Sequence, residues 1–487
     1  MPVITPPPVD LVAILPLLIV SVSAMVVLIV GLFVRQEQSP VLAAISLVGV
    51  GAAIVATVAL WGQNRVAYSG AVVADDFFVF FGVVCLGIVA LTIVLSSEFA
   101  AREGFSAGEY YTLLLFTGAG MLVLSSARDL IVLLIGLEVL SISLYVLTGF
   151  ARERLTSEEA AIKYFLLGAF SLSFLVYGIA LMYGATGSTQ FDAIATALQS
   201  GDLLRNPLLL AACGLILVGF AFKLSLVPFH MWTPDVYEGA PTSITAFMSV
   251  GTKAAVFAAL LRLLTEALPA LRGDWANILW GLAILSMVLG NFAAVTQKNV
   301  KRMLAYSGVA QAGYMLIGVV AAGTAGRNAL MFYVAAYAVT NLGAFAVVQG
   351  LSGKTDENTD VLEFDGLASR SPVLAGAMAI FMLSLAGVPA TAGFMAKLYV
   401  FNAAIQGGYL DLAIIGVLTS AVATFYYLKM IVAMYMRPAD AGAVAIRVPA
   451  SLALIVVVTV ILTIQMGVLP SFQLNAAQAT ASLLALH

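Results

Sequence analysis

Residues 130–147 read LIVLLIGLEVLSISLYVL. At about 1.5 Å per residue this run makes a helix of roughly 27 Å, close to the ~30 Å hydrocarbon core of a bilayer. A single charge interrupts it. Glu138 falls near the middle, too deep to reach water by stretching. A charge at the bilayer centre costs roughly 3 kcal/mol or more, so one that persists there has a use. The stretch therefore predicts both a membrane-spanning fold and a buried polar site.

The surrounding sequence has the same character. Of 487 residues, 62% are hydrophobic and 10% are charged, against about 25% charged in soluble domains. Mean hydropathy is +1.06. Apolar runs recur from end to end and predict an all-α polytopic membrane protein. Fourteen spans are expected, at about 10–34, 40–61, 74–96, 109–126, 129–150, 158–184, 206–227, 241–266, 275–296, 301–323, 327–351, 372–408, 411–436 and 447–469. Residues 186–205 read as a short amphipathic helix in a loop. The net charge of −3 says little, and the absence of a basic patch argues against nucleic-acid binding. Cys85 and Cys213 lie apart in apolar spans and read as small core residues, with no ligand set for a metal or redox centre.

Loop charges predict orientation. Arg65, Arg128, Arg205, Arg262, Arg272 and Arg327 fall in loops on the N-terminal side, and eleven Lys and Arg fall on the other. The positive-inside bias then puts both termini outside. Arg128-Asp129 reads as a solvated cap.

Five of the eight lysines lie inside apolar runs: Lys163, Lys223, Lys253, Lys397 and Lys429. Burial disfavours the charged form of an amine and a nearby carboxylate favours it, so such amines can be tuned to accept and release protons. A charge pair 4 Å apart is worth about 4 kcal/mol at an effective dielectric of 20. Moving a carboxylate towards one lysine would thus drive a proton to the next. Ser141, Ser143 and Ser225 are candidate bridges. The competing reading for Glu138, Lys223, Lys253 and Lys397 is a structural ion pair. Lys163 has Glu159 four residues earlier, the spacing of a helix-surface pair. Lys429 sits near a membrane edge among aromatics, which favours snorkelling. His230 is either an interfacial loop residue or a proton relay.

Two spans break the helix pattern. One ends at KLSLVPFHMW (223–232) with Pro228. The other, 372–408, is too long for one crossing and carries LAGVPATAGF with Gly387, Pro389 and Gly393. Prolines and glycines free backbone groups at membrane depth, tolerated only inside protein or beside a hydrated cavity. Leu224-Ser225-Leu226 and Leu383-Ser384-Leu385 precede the two breaks. Paired interruptions point to an inverted repeat with a midplane site.

The stretch KLSLVPFHMWTPDVYEGAPTSITAFMSVGTKAAVF (223–257) resembles the subunit N family of NADH-quinone oxidoreductase. That family supplies one of the antiporter-like subunits in the membrane arm of respiratory complex I. LLIGLEVLSISLYVL, SEEAAIKYFLLGAF, TQKNVKRMLAYSGVAQAGY and LSLAGVPATAGFMAKLYVF extend the similarity over about 100–440. It implies fourteen helices in inverted five-helix repeats, here 109–266 and 275–436, in a single membrane domain. An N-terminal region 1–100 and a last helix and tail 447–487 flank the repeats. It implies a proton relay of Glu138, Lys223, Lys253 and Lys397, with Glu138 and Lys223 as coupling pair and Lys163 and His230 as auxiliaries. It implies no cofactor in this chain, with NADH, FMN, iron–sulfur clusters and quinone in partner subunits. Other complex I subunits become the expected partners and the bacterial inner membrane the expected location. A subunit of a cation/proton antiporter or membrane-bound hydrogenase on the same scaffold is the alternative.

Overall fold

The computed structural model describes residues 9–34, 39–102, 106–199, 201, 203–352, 359–439, 446 and 448–483. Arg35, Lys354 and Arg447, counted above as loop charges, lie outside the described residues.

Helices α1 (Leu15–Gly31), α2 (Ser39–Ala59) and α3 (Asp76–Arg102) open the chain. Two three-residue strands, β1 (Arg65–Ala67) and β2 (Val72–Ala74), pair antiparallel between α2 and α3, with Val66 opposite Val73. This ribbon is the one departure from an all-helical chain among the described residues. Next come α4 (Ala107–Ser126), α5 (Leu130–Thr148), α6 (Leu155–Thr186), α7 (Phe191–Gln199), α8 (Pro207–Lys223), α9 (Trp232–Gly239) and α10 (Thr242–Arg262). A second set follows: α11 (Arg272–Thr296), α12 (Val300–Ala321), α13 (Gly323–Leu351), α14 (Leu367–Arg370), α15 (Pro372–Ala386), α16 (Ala392–Gln406) and α17 (Leu410–Met436). Helices α18 (Ala450–Val468) and α19 (Ser471–Leu483) close the chain.

Among the described residues eleven helices are long and apolar enough to cross a membrane, and α1, α8 and α15 are shorter apolar helices. Every expected span is thus occupied by a helix. The short helix expected within 186–205 is α7; α9 and α19 were not anticipated. Both broken spans are broken where glycine and proline predicted. Helix α8 stops at Lys223 and α9 resumes at Trp232; α15 stops at Ala386 and α16 resumes at Ala392.

The two sets share local structure. Asp129 caps α5, accepting from the backbone N–H of Ile131 at 2.7 Å, while Thr189 donates to it at 2.7 Å. Asn299 caps α12, accepting from Arg302 N–H at 3.1 Å, and donates to Thr359 at 2.8 Å. Asp129 bridges Gln190 and Asn299 bridges Asp360. Asp129 also accepts from Val132 N–H at 3.3 Å, so Val132 and Arg302, Asp129 and Asn299, Thr189 and Thr359, and Gln190 and Asp360 are each 170 apart. The close approach of neighbouring helices follows the same offset. A Cβ on Gly120 would lie 2.6 Å from Leu140 N, and one on Gly290 would lie 2.7 Å from Ala310 N. Both glycines are there because two backbones touch, the way membrane helices gain packing without a hydrophobic drive.

Helices α10, α12 and α13 form the centre and are almost wholly buried. Peripheral helices keep broad apolar faces, such as Phe165 and Phe170 on α6 and Leu418 and Phe425 on α17. Faces of that extent need lipid or another subunit against them.

Candidate functional site

The three central lysines sit on the buried elements, at the breaks or between them. Lys223 ends α8 and is 4% exposed. Its Nζ donates to Tyr145 Oη at 3.2 Å and lies 5.0 Å and 5.2 Å from the ring centres of Tyr145 and Tyr164. Trp232, the first residue of α9, stacks on Tyr164 at 4.5 Å. Lys223 is therefore held in an aromatic box with one oxygen acceptor. Such a cage stabilises a cation by up to about 2 kcal/mol when desolvated.

Lys253, on α10, is 2% exposed. Tyr237 Oη, from α9, is its one hydrogen-bond acceptor among the described residues, at 3.5 Å. Helix α9 thus borders both sites: Tyr237 bonds Lys253, and Trp232 stacks on the Tyr164 ring that Lys223 faces.

Lys397, on α16, is 5% exposed and folds back into the second break. It donates to Leu385 O and Ala386 O, each at 2.9 Å, and to Ser420 Oγ at 2.7 Å. Those carbonyls belong to the last turn of α15 and lack helical partners. A cation at a helix C-terminus also meets the negative end of the macrodipole.

Glu138 is half-buried on α5, and its Oε1 has no hydrogen-bond partner. Among the described residues no salt bridge joins it to Lys223. Tyr145, seven residues on and so on the same helix face, stands at the amine instead. Ser141 donates within its own helix to Leu137 O. Ser225 Oγ is buried without a partner.

Other expected residues fall outside this row. Lys163 is 40% exposed, bridged between Glu159 and Asp235 at 2.7 Å each. Asp235 and Glu238 in turn hold Arg302, at 2.7 Å and 2.8 Å. His230 lies in the first break with its ring 6.3 Å from that of Tyr306. Lys429 is partly exposed and reaches Gln297 O, just past the end of α11, at 3.5 Å. Arg262 is no loop charge: its side chain is 1% exposed and chelates Asp75 at 2.8 Å while pairing Glu266 at 2.9 Å. Arg128 is not simply solvated either, since it pairs Glu266 and Asp192, both at 2.7 Å. A charge removed from water needs partners of this kind.

Hydroxyls and amides fill the space between Lys253 and Lys397. Tyr333 donates to Gln311 Oε1 at 2.5 Å, Gln311 donates to Tyr427 Oη at 3.3 Å, and Tyr427 bonds Ser307 at 2.5 Å. Tyrosines and an amide at buried helical positions were not singled out in the sequence, because Tyr also serves as core filler. Among the described residues no group of three His, Cys, Asp or Glu side chains is placed to hold a metal ion.

Residues 127–423 match the family described as NADH:quinone oxidoreductase/Mrp antiporter, transmembrane. NADH-quinone oxidoreductase subunit N of Trichlorobacter lovleyi is 46% identical over 98% of both chains. The chain belongs to this antiporter-like family, as a subunit N relative. Subunit N 1 of Herpetosiphon aurantiacus is 48% identical over 94% of both chains. A chain from respiratory complex I of Thermus thermophilus with bound aureothin superposes with a TM-score of 0.81 at 35% identity, covering 95% of this chain and 99% of that one. A chain of the Mrp complex from Dietzia shares the fold, with a TM-score of 0.82 at 22% identity. The antiporter-like chain is accordingly a multi-pass membrane protein.

Proposed function

We propose that this chain is a proton-translocating membrane-arm subunit of an NADH:quinone oxidoreductase, and that Glu138, Lys223, Lys253 and Lys397 relay the protons. The relatives' names support the first part. One observation carries the second: three fully buried amines lie on the central and interrupted helices, and among the described residues none has a carboxylate within salt-bridge range. A purely structural buried amine is expected to be locked in an ion pair, as Arg262 is. These three instead face hydroxyls, rings and helix-end carbonyls.

In this reading Glu138 and Lys223 are the coupling pair, with Tyr145 between them. Lys253 is the central relay and Lys397 the carrier in the other half. Lys163 and His230 act as auxiliaries at the edge. The 170-residue recurrence supports two five-helix repeats, 109–266 and 275–436. NADH, FMN, iron–sulfur clusters and quinone belong to partner subunits, and this subunit adds proton movement to their electron transfer. In this reading both termini lie outside the bacterial inner membrane, as the loop-charge bias predicts.

Lys223→Ala in the complete complex, reconstituted in vesicles, tests the relay. Quinone-linked NADH oxidation and proton uptake both fall. Wild-type rates of both would remove it.

A further inference from the structure

By the offset that relates the two capped helices, Glu138 on α5 corresponds to Gly308 on α12. Each lies nine residues after its cap, in an unbroken helix. The first set has a carboxylate at this register and the second has no side chain at all. Gly308 does not touch a neighbouring backbone, unlike Gly120 or Gly290. A Cβ there would meet two atoms outside its own helix within 4 Å, Tyr337 Oη at 3.1 Å and Lys253 Nζ at 3.6 Å. Both are polar tips of buried side chains. Tyr337 Oη is buried with no hydrogen-bond partner, and an unsatisfied buried hydroxyl costs about 1–3 kcal/mol. Tyr337 also lines a small cavity with Gln311, Thr340, Ser384 and Lys397. Its volume of about 10 Å³ is on the scale of a single water.

We propose that the space at Gly308 holds one water molecule hydrogen-bonded to Lys253 Nζ and Tyr337 Oη, and that Tyr337 is the proton-transfer residue between Lys253 and Lys397. The inference rests on the relay reading above. The Lys253 ammonium gives a proton to the water. The water gives one to Tyr337 Oη as Tyr337 releases its own hydroxyl proton into the Lys397 cavity. Neutral Lys397 accepts it, so Lys253 ends one proton poorer and Lys397 one richer. The N–H bond of Lys253 is the one broken overall, and an N–H bond of Lys397 is the one formed. Glycine is required because a methyl group at 308 would occupy the water's place between the two polar atoms.

The test uses the complete complex in vesicles, with Tyr337→Phe, Gly308→Ala and the double variant. Phenylalanine keeps the ring, so assembly should be unchanged. Quinone-linked turnover and proton uptake are expected to fall about tenfold in Tyr337→Phe, less than the roughly hundredfold typical of a positioned proton-transfer group because other hydroxyls partly substitute. The H₂O/D₂O rate ratio should rise. Gly308→Ala should behave alike. The double variant should be no slower than the slower single one, since both remove one link. It also relieves the contact between the new methyl and the hydroxyl, so poor assembly of Gly308→Ala alone leaves the question answerable. Wild-type turnover and isotope ratio in Tyr337→Phe would overturn the link, and so would multiplying losses in the double variant. Lys223→Ala in the same preparation separates the failures: if it also pumps normally the relay is wrong, and if it alone loses pumping only the Tyr337 link is wrong.

Discussion

Lys223 and Lys397 stand at the two breaks, buried to nearly the same degree, yet they are held by different chemistry. Lys397 has three oxygens, two of them carbonyls of a severed helix end. Lys223 has one phenolic oxygen and aromatic faces. The position of each lysine relative to its break accounts for this. Lys397 follows its break and can fold back onto the end of α15. Lys223 is the last residue of α8, and its side chain reaches away from its own helix end towards α5 and α6. Lys397 therefore ties down the break it sits in, whereas Lys223 bonds no backbone group of its own break.

The sharpest way to break this contrast is Gly393→Ala. A Cβ there would lie 1.9 Å from Ser384 O, so α15 and α16 could not meet as they do. We expect a loss on the scale of 4 kcal/mol and little assembled complex on native gels. The same methyl at Gly51, within α2, where a Cβ has open space, should leave assembly near wild type.

Next in size is the pair Lys397→Met and Lys223→Met. Both should abolish proton uptake linked to turnover. Lys397→Met also takes a charged donor from Leu385 O and Ala386 O, leaving them the 3.3 Å bonds from Gln311 Nε2 and Ser420 Oγ; a bond to a charged group is worth about 1.5–3 kcal/mol. Its complex should lose activity on heating several times faster than the Lys223→Met complex. Equal inactivation half-lives would show that Lys397 does not tie down the second break.

The smallest effects come from single hydroxyls. Tyr145→Phe removes the one oxygen on Lys223 and keeps the ring, costing about 1.5–3 kcal/mol as a bond to a charged group. Ser420→Ala removes one of three oxygens on Lys397 and should cost less. Turnover should fall further in Tyr145→Phe; the reverse order would mean the aromatic box, not its oxygen, positions Lys223.

Much of the fold was readable because lipid leaves the backbone few choices. Glu138, Lys223, Lys253 and Lys397 stood out because charge inside an apolar run has no cheap explanation. The matching of Leu224-Ser225-Leu226 with Leu383-Ser384-Leu385 was misleading. Ser225 lies in the first break at φ +60°, while Ser384 is still helical and accepts from Gly393 N–H at 3.0 Å. The better internal signal was fainter: Arg128-Asp129-Leu130 against Lys298-Asn299-Val300, and Thr189-Gln190-Phe191 against Thr359-Asp360-Val361. It escapes inspection because caps conserve hydrogen-bonding roles rather than residue identity.

Local sequence determined that the chain crosses a membrane many times, where its helices run and fail, and which amines are out of place. Those follow from transfer free energy and backbone chemistry, which act over one turn or one span. The tertiary structure decided which groups those amines face. Tyr145, Tyr237, Ser420 and Tyr337 come from helices other than those of the amines they face, and an aromatic hydroxyl in an apolar run looks the same whether it fills a core or receives a proton. Arg262 and Lys163 exchanged their expected surroundings for the same reason: depth in a sequence window is not depth in a packed bundle, where neighbouring helices supply or withhold the countercharge.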